Sequence, residues 1–162
     1  MKLISLTVVL LLVMPEISNA QGGKANFSGS WALNESKSTL PQGGGGGGGQ
    51  RMGGRNFTIK QDANTLTRIT TNQDGEQRET KYTLDGKESV SSTGRGDSKS
   101  TAKWSSDGKS LTIVTKSNYN GNERTSTAVW SLTDAKTLSI VSTRPGRDGG
   151  EPVKSTMVYD KK

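Results

Sequence analysis

The chain has 162 residues and a formal net charge of +7, with no cysteine and no histidine. Those two absences exclude disulfides, Cys/His zinc or copper sites, a haem histidine, and Ser-His-Asp or Cys-His catalytic pairs. Chemistry would have to rest on carboxylates, Lys, Tyr or Ser. Most aspartates (Asp62, Asp74, Asp85, Asp107, Asp134, Asp148) stand in turn-like contexts, where the side chain bonds nearby backbone N–H groups.

Residues 1–20 read MKLISLTVVLLLVMPEISNA. Lys2 supplies a positive start, Leu3 to Met14 a short apolar stretch, and Ser18 and Ala20 the small residues that a signal peptidase reads. The run is too short to cross a bilayer, which takes about 20 residues. We therefore expect cleavage after Ala20, a secreted or periplasmic protein, and no transmembrane segment once the signal is gone. Residues 21–162 are expected to form a single domain.

Residues 41–55, PQGGGGGGGQRMGGR, carry seven consecutive glycines from Gly43 to Gly49. A phosphate loop of the Walker type needs a closing Gly-Lys-Ser/Thr and a following helix. Here Gln50 and Arg51 follow instead. Only one expected strand precedes the run, too little to bury a core of its own. The stretch reads as a Gly-rich slack loop inside one domain.

From there the pattern is β. Short runs alternate Thr or Ser with apolar residues and are punctuated by turn residues. Strands are expected near residues 26–33, 55–61, 65–72, 78–84, 87–92, 98–105, 109–117, 123–132, 136–143 and 152–160, with one turn of helix over 35–40. Two stretches echo each other. Ala102, Trp104, Asp107, Leu111 and Ile113 match Ala128, Trp130, Asp134, Leu138 and Ile140, with one residue inserted between Trp and Asp in the second copy. Residues 57–71 echo both more faintly. Each copy reads strand, tight turn, strand, so copies in series give an antiparallel meander.

Side-chain parity gives the buried face. Phe27, Gly29, Trp31 and Leu33 share one face, as do Phe57 with Ile59, Tyr82 with Leu84, Ala102 with Trp104, and Ala128 with Trp130 and Leu132. Leu111 with Ile113, Leu138 with Ile140, and Met157 with Tyr159 complete the set. The opposite faces carry Thr, Ser, Lys and Arg, which excludes a lipid-facing outer-membrane barrel. A one-sided sheet of this size closes on itself and so removes its edges. One strand breaks parity: Leu66 and Ile69 cannot both face inward, and the face of Leu66 carries Arg68. A β-bulge is the ordinary explanation and the expected one. The alternative is an interior Arg68 that anchors an anionic group.

The segment NFSGSWALNESKS, residues 26–38, resembles the opening of lipocalin-like domains in exported bacterial proteins, and its Gly29-x-Trp31 matches the signature of the calycin group. The resemblance implies an up-and-down barrel with a ligand cavity. In that family the tryptophan plugs one end and packs on a basic residue from a late strand. By position Trp31 would be the plug, and Lys154 its basic partner.

The expected fold is all-β, an antiparallel up-and-down meander closing into a lipocalin-like barrel of 8–10 strands. The expected function is non-catalytic binding of a small lipophilic or anionic ligand by a monomer, without cofactor or metal. Trp31, Arg68, Tyr82, Trp104 and Trp130 are the inner candidates. An interior cavity of about 300 Å3 or more, typical of ligand pockets, would favour that reading. The alternative is a structural or surface-interaction protein of the cell envelope, with a filled barrel and a basic exterior. The Lys and Arg residues are scattered among Ser and Thr without an aromatic stacking strand, which argues against specific nucleic-acid binding.

Overall fold

A computed structural model describes residues 23–39, 56–72, 74–93, 96–119, 121–146 and 150–162. The expected signal, residues 1–20, and the glycine-rich stretch 41–55 lie outside them, as does Asp148.

Ten strands follow in chain order: β1 (Gly29–Thr39), β2 (Asn56–Gln61), β3 (Thr65–Thr71), β4 (Gln77–Thr83), β5 (Glu88–Thr93), β6 (Gly96–Trp104), β7 (Ser110–Tyr119), β8 (Asn122–Asp134), β9 (Thr137–Arg144) and β10 (Val153–Lys161). They form one antiparallel sheet in the order β4-β3-β2-β1-β10-β9-β8-β7-β6-β5. Pairing of β1 with β10 turns the meander into a barrel. The one seam is between β4 and β5. No strand ladder joins them among the described residues; instead Thr83 N donates to Ser89 Oγ at 2.8 Å and Thr83 Oγ1 to Lys87 O at 3.0 Å.

The helical turn expected over 35–40 is corrected. β1 continues to Thr39, past a break in register between Asn34 and Thr39. Ser38 Oγ accepts from Val158 N at 3.0 Å, so β10 takes up bonding that a helical turn would have kept local. At its other end β1 starts three residues later than expected. The residues before it cross the end of the barrel: Ala25 N donates to Gly108 O at 2.8 Å, and Gln61 brackets the segment, with Nε2 donating to Ala25 O at 3.0 Å and Oε1 accepting from Phe27 N at 2.9 Å.

The two echoing stretches are the hairpins β6–β7 and β8–β9. Trp104 stands opposite Leu111, and Trp130 opposite Ile140. The inserted residue of the second copy appears as a register shift between Leu132 and Asp134. The expected bulge in β3 is also corrected. β3 pairs without a break with both neighbours, setting Gln61 opposite Leu66, Ile59 opposite Arg68 and Phe57 opposite Thr70. Leu66, Arg68 and Thr70 therefore share the inward face, and Ile69 points outward. The parity conflict is resolved by placing an arginine inside.

The core is one cluster on the inward faces, including Phe27, Trp31, Ile59, Leu66, Leu111, Leu138 and Tyr159. It fills the end of the barrel crossed by residues 23–28.

Candidate ligand-binding cavity

The filled end is closed by aromatic rings. Phe27 stacks on Trp104 (centroids 5.7 Å apart, planes 2° apart) and meets Trp130 edge-on at 6.1 Å. Trp31 Nε1 donates to Phe27 O at 2.9 Å, which satisfies the indole inside an apolar site. Lys161 Nζ lies 5.6 Å from the centroid of the Trp31 ring. The basic partner of the plug is therefore Lys161 and not Lys154. Lys161 stands opposite Trp31 on the inward face, whereas Lys154 falls at the other end of β10 on an outward position.

Above this plug lies a cavity of about 210 Å3, lined by Arg68, Tyr82, Trp130 and Tyr159 among others. That is smaller than the expected 300 Å3. Rings pack around Arg68. Its Cζ lies 4.4 Å from the centroid of Phe57, the favourable cation–π arrangement. Phe57 meets Tyr159 edge-on at 4.7 Å, and Tyr82 meets Trp130 edge-on at 6.4 Å. Tyr159 Oη donates to Met157 Sδ at 3.4 Å. The hydroxyls of Thr115 and Ser142 complete the polar part of the wall.

The electrostatics follow from burial. Desolvation pulls the Arg68 pKa below its ordinary value, and the facing Tyr159 and Tyr82 oppose that shift. Desolvation raises both tyrosines, with Arg68 opposing. The cavity thus holds a fixed positive charge between two neutral phenols. An anion entering it meets a guanidinium with little water to screen it.

Of the five sequence candidates, Arg68, Tyr82 and Trp130 come together on the cavity wall. Trp31 and Trp104 lie in the plug. Thr115, Ser142, Met157 and Tyr159 also line the cavity and are not among the five. Ser142 stands two residues beyond Ile140 on β9, so the parity that marks Ile140 as buried marks it too.

No protein-family model matches the sequence, and no curated protein is similar to it. Solved structures that share its architecture include the following three. A secretory abundant heat soluble protein from Ramazzottius varieornatus superposes with a TM-score of 0.57 at 11% identity, over 84% of this chain and 95% of that one. A point mutant of the fluorescent protein UnaG gives 0.56 at 19% identity, over 84% and 96%. The zebrafish ileal bile acid-binding protein complexed with cholic acid gives 0.56 at 18% identity, over 84% and 98%. The fold is that of the lipocalin-like barrels. Within that lipocalin-like frame, this chain carries ten strands, a Trp31–Lys161 plug and an interior arginine.

Proposed function

We propose that the protein is a non-catalytic binding barrel for a small ligand with an acidic group and a compact apolar body. The acidic group meets Arg68, and the body lies against Trp130, Tyr82 and Met157. The single observation that carries this reading is the inward placement of Arg68 on the cavity wall, held over Phe57. A charged side chain costs stability when it is taken out of water, so a function is the simplest reason to keep one there. The zebrafish protein of the same fold is complexed with an acid, which is consistent with the reading. We further propose that the chain is exported, to the periplasm or outside the cell, on the strength of residues 1–20, and that it acts as a monomer.

The second reading, a filled barrel whose basic exterior does the binding, draws on one observation. The cavity is small against the roughly 300–1,000 Å3 of most ligand pockets. Calorimetric titration with 2-naphthoate and with neutral 2-naphthol separates the two. The cavity reading expects naphthoate to bind and naphthol to bind at least about tenfold more weakly, the size of one charge-assisted hydrogen bond. No heat from either, together with salt-sensitive binding to an anionic polymer, would favour the exterior reading.

A further inference from the structure

The lower half of the barrel is apolar, but the register makes the upper half hydroxyl-rich and basic. Inward positions beyond the cavity include Thr70, Ser98, Ser117 and Ser126, and with them three further arginines. Arg78 on β4 stands opposite Thr70, two residues from Arg68 on β3, so Arg68 and Arg78 are diagonal neighbours on one face. Such positions lie about 7–8 Å apart. Arg124 on β8 stands opposite Ser117. Arg144 on β9 stands opposite Val153 and one residue past Thr143, whose partner is Thr127 of β8. By strand order β9 is five places from β4 around the barrel, so Arg144 and Arg78 hold inward register positions on opposite walls at this end.

No Asp or Glu occupies an inward position in the paired registers of these strands. Among the described residues, the acids near this rim lie outside those inward positions. Asp74 and Glu76 lie in the β3–β4 turn, where Asn72 holds both backbone amides. Glu123 points outward beside Asn118, Glu151 precedes β10, and Glu35 lies inside the register break of β1, between Asn34 and Thr39. Arg78, Arg124 and Arg144 are exposed. Like charges gathered on one concave surface repel unless an anion joins them, and guanidinium groups are the side chains best matched to carboxylate, sulfate or phosphate oxygens.

We propose that the mouth is a second anion subsite and that the ligand is a dianion. Its inner acidic group meets Arg68, and its outer acidic group is held by Arg78, Arg124 and Arg144. This rests on the cavity reading for the inner group and adds the outer one.

The test is calorimetric titration of 2-naphthoate and 2,6-naphthalenedicarboxylate into the wild type, an R78Q/R124Q/R144Q triple variant and R68M. The triple variant alters exposed positions, so its fold is expected to survive and is checked by circular dichroism. The dicarboxylate is expected to bind wild type about five- to tenfold tighter than the monoacid, in line with exposed charge-assisted contacts. The triple variant is expected to abolish that ratio and leave the monoacid affinity within twofold or so. A wild-type ratio near one, or a ratio that the triple variant preserves, would overturn the outer subsite. If R68M leaves both affinities unchanged while the triple variant weakens the dicarboxylate, the inner reading fails and the rim stands. If R68M weakens the monoacid while the ratio stays near one, the inner site stands and the rim fails.

Discussion

The Lys161 side chain lies across the Trp31 ring, and Gly29 is what leaves room for it. A Cβ at position 29 would sit 2.5 Å from Lys161 Cε. Gly29 also holds φ at +140°, a region that side chains rarely adopt. The Gly-x-Trp spacing thus has a packing meaning here. Glycine vacates the inward position one pleat before the tryptophan, and the lysine stem crosses the gap to bring its ammonium over the indole.

Gly29→Ala is therefore expected to destabilise the barrel by about 1–3 kcal/mol, through backbone strain and displacement of Lys161. Lys161→Ala alone is expected to cost less, about 0.5–1 kcal/mol for the lost cation–π contact. Since part of the Gly29→Ala penalty acts through Lys161, the double variant should cost less than the sum. Urea denaturation of the three variants measures this. Strict additivity would show that the two residues are not coupled.

Arg68→Met separates binding from stability. Methionine is of similar length and keeps contact with Phe57 while removing a desolvated charge. Replacement of buried ionic groups by apolar ones is often neutral or stabilising, by about 1–4 kcal/mol where pairs have been replaced. The variant is expected to keep or raise its denaturation midpoint while losing affinity for carboxylates. A fall of about 2 kcal/mol or more would mark Arg68 as a structural brace instead.

Much of this molecule is legible in the sequence because strand parity is strict. Ten strands, their inward residues and the duplicated hairpins all follow from alternation and turn residues. The β8–β9 register shift even corresponds to the inserted residue before Asp134. What fails are local rules that long-range pairing overrides. Residues 35–39 have turn-like character, but β10 offers them a partner strand. A charge inside a barrel violates the usual burial rule, so local reasoning prefers a bulge to an interior Arg68. The violation is the cavity's main feature, and sites are where such conflicts concentrate. Parity with Met157 and Tyr159 already sets Lys161 inward and Lys154 outward, but only the β1–β10 register puts Lys161 opposite Trp31.

The glycine run has a clear place in the topology. β1 and β2 pair with each other, Trp31 opposite Phe57, so the chain between them joins adjacent strands of one sheet. Loop-closure cost changes slowly with length, by about 0.6 kcal/mol per doubling. Shortening Gly43–Gly49 to three residues is expected to move stability by less than that. Thermal unfolding measures it, and loss of the folded state would mean that the run has a structural role of its own.

The pH profile should be flat through neutrality and fall at both ends. With no histidine in the chain, no side chain with an ordinary pKa changes charge between about pH 5 and 8. At the acid end, aspartates hold four turns between consecutive strands: three hairpin turns and the β4–β5 turn at the seam. Asp62 accepts from the Thr65 hydroxyl at 2.6 Å and from the Asn64 and Thr65 amides, Asp85 from Lys87 N, Asp107 from the Ser105 hydroxyl and Lys109 N, and Asp134 from Lys136 N. These bonds hold each carboxyl below its ordinary pKa of 3.8. A depressed folded pKa gives stability that is present above the unfolded value and lost as pH falls through the folded one. Acid loosening should therefore begin below about pH 4, and Asp62→Asn should shrink it. At the alkaline end burial raises Tyr82 and Tyr159. A raised folded pKa gives stability that is complete below the unfolded value and lost as pH climbs toward the folded one, so the decline should start near pH 10 or so. Denaturant midpoints between about pH 2 and 11 trace both limbs, and a step near pH 6 to 7 would contradict this account.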